Sequence, residues 1–169
     1  SRFDKLKDMR IQALRMMHLL KHCKPKIIGS TLTGHVRQGS DIDIHCFVSS
    51  TDAVTATLDL ECMEYDLEFK QVRKNGEERV FTHIHVRDEY PIELTLYPSD
   101  KVSYVFKSSI TGKAMERATL PEYEQFLCDE YSGIDLAEEL ESAEDSIDRF
   151  QVYRSLLLPL DGYEQSKKY

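Results

Sequence analysis

"KIIGSTLTGHVRQGSDIDIHCFV", Lys26 to Val48, decides how the rest of the chain is read. It opens on the apolar pair Ile27-Ile28 and passes through Gly29 and several small hydroxyl residues. It then re-enters an apolar run that carries Asp41 and Asp43 one residue apart. Strands favour β-branched and aromatic residues and are poor in acids. Side chains alternate along a strand, so Asp41, Asp43 and His45 take one face of 41–48, and Ile42, Ile44 and Cys46 take the other. Two carboxylates this close repel, and burying them unpaired is expensive. Solvent relieves that repulsion, and so does a divalent cation.

Working outward, residues 3–22 read as an amphipathic helix, with Phe3, Leu6, Arg10, Ala13, Met17 and Leu20 at helical spacing. Pro25 closes that segment, and Ile27-Ile28 is a short strand ending at Gly29-Ser30. After the 41–48 strand, residues 49–60 carry Ser, Thr and Asp where a short helix needs its N-cap. Two alternating runs, 62–72 and 79–86, flank Asn75-Gly76, a strong signal for a two-residue hairpin. A third run, 92–97, follows Pro91 and continues the meander. Beyond Pro98 the period changes, and residues 99–107, 121–131 and 135–157 look helical. The expected fold class is α+β (α/β-like): a mixed sheet of about five strands, preceded by one helix and followed by several.

The bulk properties agree with one domain. At 169 residues the chain buries roughly 70% of its unfolded surface without staples. The expected organisation is a single domain over 1–160, with its core at 25–98, a helical part at 99–158 and a tail at 161–169. No apolar run approaches the roughly 18 residues of a membrane span, and nothing at the start reads as a signal peptide. The four cysteines, Cys23, Cys46, Cys62 and Cys128, are scattered, which argues against a zinc site or a disulfide framework and fits a cytoplasmic protein. The formal net charge of −8 lowers the odds of a nonspecific nucleic-acid binder.

Glu93 is the next informative residue. In "PIELTLYP" it is a lone acid between Ile92 and Leu94, and it is the natural third carboxylate beside Asp41 and Asp43. Hard cations such as Mg²⁺ take one or two carboxylates together with substrate phosphates, and a pair of metals clamps both sides of an in-line phosphoryl displacement. Ahead of the aspartates, Gly29 permits a tight exit from the first strand. Ser30 offers a hydroxyl and a backbone N–H where a short helix can begin, a combination suited to phosphate. Each half of this pattern is common by itself. The combination is more specific: Gly-Ser, ten residues, Asp-x-Asp, then a later apolar strand with one Glu.

These residues resemble the signature of the nucleotidyltransferase superfamily that shares its fold with DNA polymerase beta, in particular the minimal and aminoglycoside-type enzymes. Gly29, Ser30, Gly34, Ser40, Asp41 and Asp43 match its key positions without a gap, and Glu93 matches the third acidic strand. The likeness covers residues 27–44 and Glu93; elsewhere it is architectural. It implies the polymerase beta-type fold, and transfer of a nucleoside monophosphate from an NTP to an acceptor hydroxyl with release of pyrophosphate. It also implies two Mg²⁺ ions, with Mn²⁺ as a substitute. By the same resemblance Asp41 and Asp43 bind both metals, and Glu93 completes the site for the ion that activates the acceptor. Gly29 and Ser30 cradle the β- and γ-phosphates. Many relatives carry a basic residue just before the second glycine, where this chain has Thr33; Arg37, in the same loop as Ser40, is the candidate replacement for that phosphate contact.

The acceptor stays open among a small molecule, a protein hydroxyl and an RNA end. Also open are a non-catalytic nucleotide-binding or interaction module of the same fold, and an acceptor site completed by a partner subunit or a second copy. His45 shares the aspartates' face and reads as a bystander hydrogen-bonded to a neighbour. His83 and His85 alternate onto one face opposite Asp66 and Glu68, a solvated cross-strand pairing before a second metal site. Lys107, Lys113 and Arg117 flank "SSITGKAMER", which reads as a loop; they are candidate contacts for a nucleotide or acceptor, with ordinary surface charge the commoner reading of such residues.

Overall fold

The first helix buries the stripe its spacing predicts. In α1 (Arg2–Leu19), Met9, Ala13, Leu14, Met16 and Met17 are buried. A 3-10 turn, Lys21–Cys23, follows it, and Lys24 adopts a left-handed conformation before Pro25. This protein is described here from a computed structural model, in which residues 2–107 and 111–141 are described. The chain divides into two compact units, Ser1–Ile134 and Asp135–Tyr169.

In the first unit the chain runs through β1 (Lys26–Ile28), α2 (Gly29–Thr33), β2 (Ile42–Phe47) and α3 (Asp52–Leu60). It continues through β3 (Glu64–Lys74), β4 (Glu77–Arg87), β5 (Ile92–Tyr97), β6 (Arg117–Thr119) and α4 (Leu120–Glu130). In the second unit residues 136–141 are helical, the beginning of the segment expected at 135–157. The rest of that expectation, and the tail, lie outside the described residues. The protein is therefore a mixed α+β structure, and no helix among the described residues is long and apolar enough to cross a membrane.

The six strands form one mixed sheet in the order β3-β4-β5-β2-β1-β6. β2 and β5 are parallel and every other neighbouring pair is antiparallel. Asn75 and Gly76 join β3 to β4 with positive φ at both positions, 55° and 78°, the geometry that a primed two-residue turn requires.

Two expectations need correction. The sheet has six strands rather than about five, because Arg117–Thr119 pairs with β1. Three residues are too few to show a period of two, so "RAT" carries no strand signal of its own. The span 99–107 is not a helix: only Ser99–Lys101 forms a 3-10 turn, and Lys107 bridges to Ala114. Tyr104 and Phe106 are packed against each other and, through Phe106, against Phe47 and Tyr97. That aromatic packing overrides the weak helical spacing.

The sheet has two unlike faces. Ile27, Ile42, Ile44, Cys46, Ile84, Val86, Ile92 and Leu94 line one face and are buried, with α1 packed on β1 and β2 and α4 packed on β1 and β6. At roughly 25 cal/mol per Å² of apolar area, burial of this layer is the main favourable contribution to folding. The other face carries Asp43, Glu93, His83 and His85, and Phe106 packs against His45, Phe47 and Tyr97 on it.

Candidate active site

Strand register builds the site. Ile28 faces Asp43 across β1–β2 and Arg117 across β1–β6, while Asp43 faces Glu93 across β2–β5. Glu93 in turn faces His85, and His85 faces Asp66. Residues in register point to the same side, so Arg117, Ile28, Asp43, Glu93, His85 and Asp66 form one row across the polar face. The row below it holds Thr119, Lys26, His45, Thr95, His83 and Glu68. Asp41 lies one residue ahead of β2, at the same end of the sheet.

Asp43 is held well above the ordinary aspartate range. Burial raises its pKa first, the charge of Glu93 second and that of Asp41 third, taking it from 3.8 to about 7. A half-buried carboxyl beside two other acids bears directly on whether the residues suit a hard divalent cation. The donor set is all oxygen and mutually repelling, which suits Mg²⁺. Among the described residues, however, no three His, Cys, Asp or Glu side chains already stand as a ready metal cluster.

Gly29 explains itself by geometry. It leaves β1 with φ of 74°, and a Cβ placed there would stand 2.7 Å from Asp43 Oδ2. A glycine is needed both for the backbone angle and for the approach to the carboxylate. The turn it starts is held from behind by α1. Arg10, buried, donates from Nε to the carbonyl of Thr31 at 2.8 Å and from Nη2 to that of Leu32 at 3.0 Å. Its Nη1 reaches the Tyr131 hydroxyl at 3.1 Å, and its guanidinium lies 4.9 Å from the Phe126 ring centroid. Gly34, with φ of 90°, closes α2 by donating to the Ser30 carbonyl at 2.8 Å.

The loop from Gly34 to Asp41 closes on itself. The Arg37 N–H donates to Ser40 Oγ at 2.8 Å, and the Ser40 N–H donates to the Arg37 carbonyl at 3.1 Å. The Ser40 hydroxyl thus shapes the turn that delivers Asp41, and the Arg37 side chain is exposed.

His85 keeps its expected solvated cross-strand pairing, while His83 does not. Asp66 does face His85, and Glu68 does face His83, as the hairpin register requires. His85 Nε2 instead pairs diagonally with Glu68 at 2.6 Å. His83 Nδ1 turns away from β3 and donates to Glu93 Oε1 at 2.6 Å, with Thr95 Oγ1 3.3 Å away. The reading of His83 as part of a wet cross-strand pair missed this contact, because a third strand sits on its other side.

His45 is not hydrogen-bonded to a neighbour through Nδ1, which is buried and has no partner among the described residues. Its ring makes edge contacts with Tyr97 at 4.8 Å and Phe106 at 5.2 Å between centroids. Burial first, then the positive charge of Arg117, lowers its pKa to about 4, so the imidazole is neutral.

No protein-family model, curated protein or solved structure matches this chain.

Proposed function

We propose that this chain is a metal-dependent nucleotidyltransferase with the polymerase beta-type fold. The observation that carries the reading is the register pairing of Asp43 with Glu93, on the sheet face opposite the one packed by α1 and α4, with Gly29 against Asp43 Oδ2. Asp41 and Asp43 would hold the two Mg²⁺ ions and Glu93 the one nearer the acceptor. Bound Mg²⁺ supplies neutralisation of the carboxylates and of the phosphate charge.

The protein's own residues orient and neutralise. Gly29 lets the backbone approach the phosphates, and Ser30 offers its hydroxyl and N–H beside them. His83 fixes Glu93 by the 2.6 Å hydrogen bond. In the reaction the acceptor oxygen bonds to the α-phosphorus, and the α–β bridging oxygen leaves with its electron pair as part of pyrophosphate. The acceptor proton passes to water. Positioning and charge stabilisation supply the rate enhancement, as in phosphoryl transfer generally. The acceptor, whether a small molecule, a protein hydroxyl or an RNA end, is the part of the assignment that these residues do not select.

A non-catalytic nucleotide-binding module of the same fold is the second reading. It is favoured by the lack of a ready three-ligand cluster among the described residues.

One experiment separates them. The melting temperature is measured against each of the four NTPs, with Mg²⁺ and with EDTA, and pyrophosphate release is followed in the same samples. A Mg²⁺-dependent shift that disappears in Asp41→Asn, together with pyrophosphate release, supports the transferase. A shift without release in the presence of varied acceptors supports the module, and no shift with any NTP removes both.

A further inference from the structure

Arg117 opens β6, a strand that its local sequence does not announce. It belongs to the same cross-strand row as Asp43, with Ile28 between them. Two strand spacings put the Arg117 and Asp43 Cα atoms about 10 Å apart. The guanidinium lies over Phe106, 5.4 Å from the ring centroid, and Nη1 is buried with no hydrogen-bond partner among the described residues. Leaving a buried N–H of a charged group unpaired is costly, so such an atom marks a place where something else binds or charge is stored.

A second cation accompanies it. Lys26 sits one row below on the adjacent strand, donating to the Val102 carbonyl, with Nζ 5.3 Å from the Phe47 ring centroid. Burial first and the charge of Arg117 second lower the proton affinity of Lys26. The carboxylate acting on both cations is Glu122, whose Oε1 already accepts the Thr119 N–H at 3.0 Å in the capping box of α4. The neighbouring His45 Nδ1 is also buried and unpartnered among the described residues.

Two cations thus flank the acids on the side of β1 and β6, where Gly29 and Ser30 leave the sheet, and histidines flank them on the side of β4. An extended anion fits between metal-neutralised carboxylates and a guanidinium fork, which matches phosphate oxygens in pairs. We propose that Arg117, assisted by Lys26, holds the terminal phosphates of the polyphosphate substrate. The proposal rests on the nucleotidyl-transfer reading, which it deepens by assigning the phosphate grip to β6 in place of the 34–41 loop.

The test uses inorganic tripolyphosphate with Mg²⁺ as probe, without nucleotide, titrated calorimetrically into the full chain. Arg117→Gln is expected to weaken binding about tenfold or more, the loss of one charge-assisted contact. Lys26→Gln is expected to weaken it less. Arg79→Gln, at the far end of the β3–β4 hairpin, controls for net charge and should leave affinity within about twofold. Arg117→Lys keeps the charge over Phe106 and loses the fork, so it serves if the glutamine variant does not fold. An unchanged melting temperature with weakened binding supports the grip.

Tripolyphosphate that fails to bind the wild type, or binds the folded Arg117 variants with wild-type affinity, overturns it. Pyrophosphate release in the wild type reports separately on nucleotidyl transfer. Release with no effect of Arg117 on tripolyphosphate removes this inference alone. Loss of tripolyphosphate binding in Arg117→Gln without release removes the transfer reading alone.

Discussion

Asp43 and Glu93 are register partners across the parallel pair β2–β5. Burial, then the charge of Glu93, then that of Asp41, lift the pKa of Asp43 to about 7. The sign of the linked stability follows. Between about pH 4 and pH 7 the folded protein binds more protons at Asp43 than the unfolded chain does, so stability falls as pH rises through that window and levels off above it. Asp43→Asn removes this contribution. It is expected to raise the melting temperature at pH 8 by a few degrees, where about 1 kcal/mol shifts a chain of this size by roughly 3 °C. At pH 4 it should leave the melting temperature nearly unchanged. Equal melting temperatures of the two proteins at pH 8 would show that Asp43 is not strained by its neighbours.

Metal dependence follows from the same three acids. Chelation by EDTA should abolish nucleotide-dependent pyrophosphate release and Mg²⁺ should restore it. Asp41→Asn and Asp43→Asn should each lower turnover about a hundredfold or more, in the range seen when one preorganised electrostatic contact is removed. Glu93→Gln should lower turnover more than it weakens nucleotide binding. Comparable losses in both quantities would assign the third ligand elsewhere.

Gly29→Ala should disrupt the site from the backbone. Holding an L-residue at φ of 74° costs about 1–2 kcal/mol, and the new methyl would stand 2.7 Å from Asp43 Oδ2. The expected outcome is a lower urea midpoint with an unchanged slope, together with loss of nucleotide binding. Retained binding in a destabilised Gly29→Ala protein would mean that Asp43 can move aside at no functional cost.

Arg10→Met keeps most of the side-chain volume and removes the two hydrogen bonds to the carbonyls of Thr31 and Leu32. Hydrogen bonds from a charged group contribute about 1.5–3 kcal/mol each, with incomplete additivity. A loss of about 2–4 kcal/mol in urea unfolding is therefore expected. Hydrogen exchange should quicken at α2 and around Gly34 before it quickens in the hairpin. A uniform increase across the sheet would show that Arg10 acts on global stability and not on the Gly29–Thr33 turn.

The parts of this architecture that were legible in advance are those whose signal is local. Asn75-Gly76 announces its turn because two adjacent residues must both take positive φ. Ile92–Tyr97 announces itself by alternation. Arg10 falls on the buried stripe of α1 by spacing, but nothing nearby says that its partners are carbonyls more than twenty residues away. β6 has three residues and exists because β1 offers an edge, which is a tertiary fact. The grouping of Asp43 with Glu93 was readable from residue type, each being a lone acid in an apolar run. The turn of His83 toward Glu93 was not, since it depends on β5 lying beside β4 and on which flank the imidazole chooses.

The alternation along β5 also carries a safeguard. Ile92, Leu94 and Leu96 are buried, while Glu93, Thr95 and Tyr97 stand on the opposite side. A slip of β5 by a single position against β2 would exchange these sets, driving a carboxylate into the methionine-rich layer beneath and presenting isoleucine and leucine beside Asp43. A one-position misalignment therefore cannot yield a half-working molecule with a slightly displaced acid, because that frame also tears open the interior. The nearest frame that would separate Glu93 from Asp43 is thus closed off by the core itself.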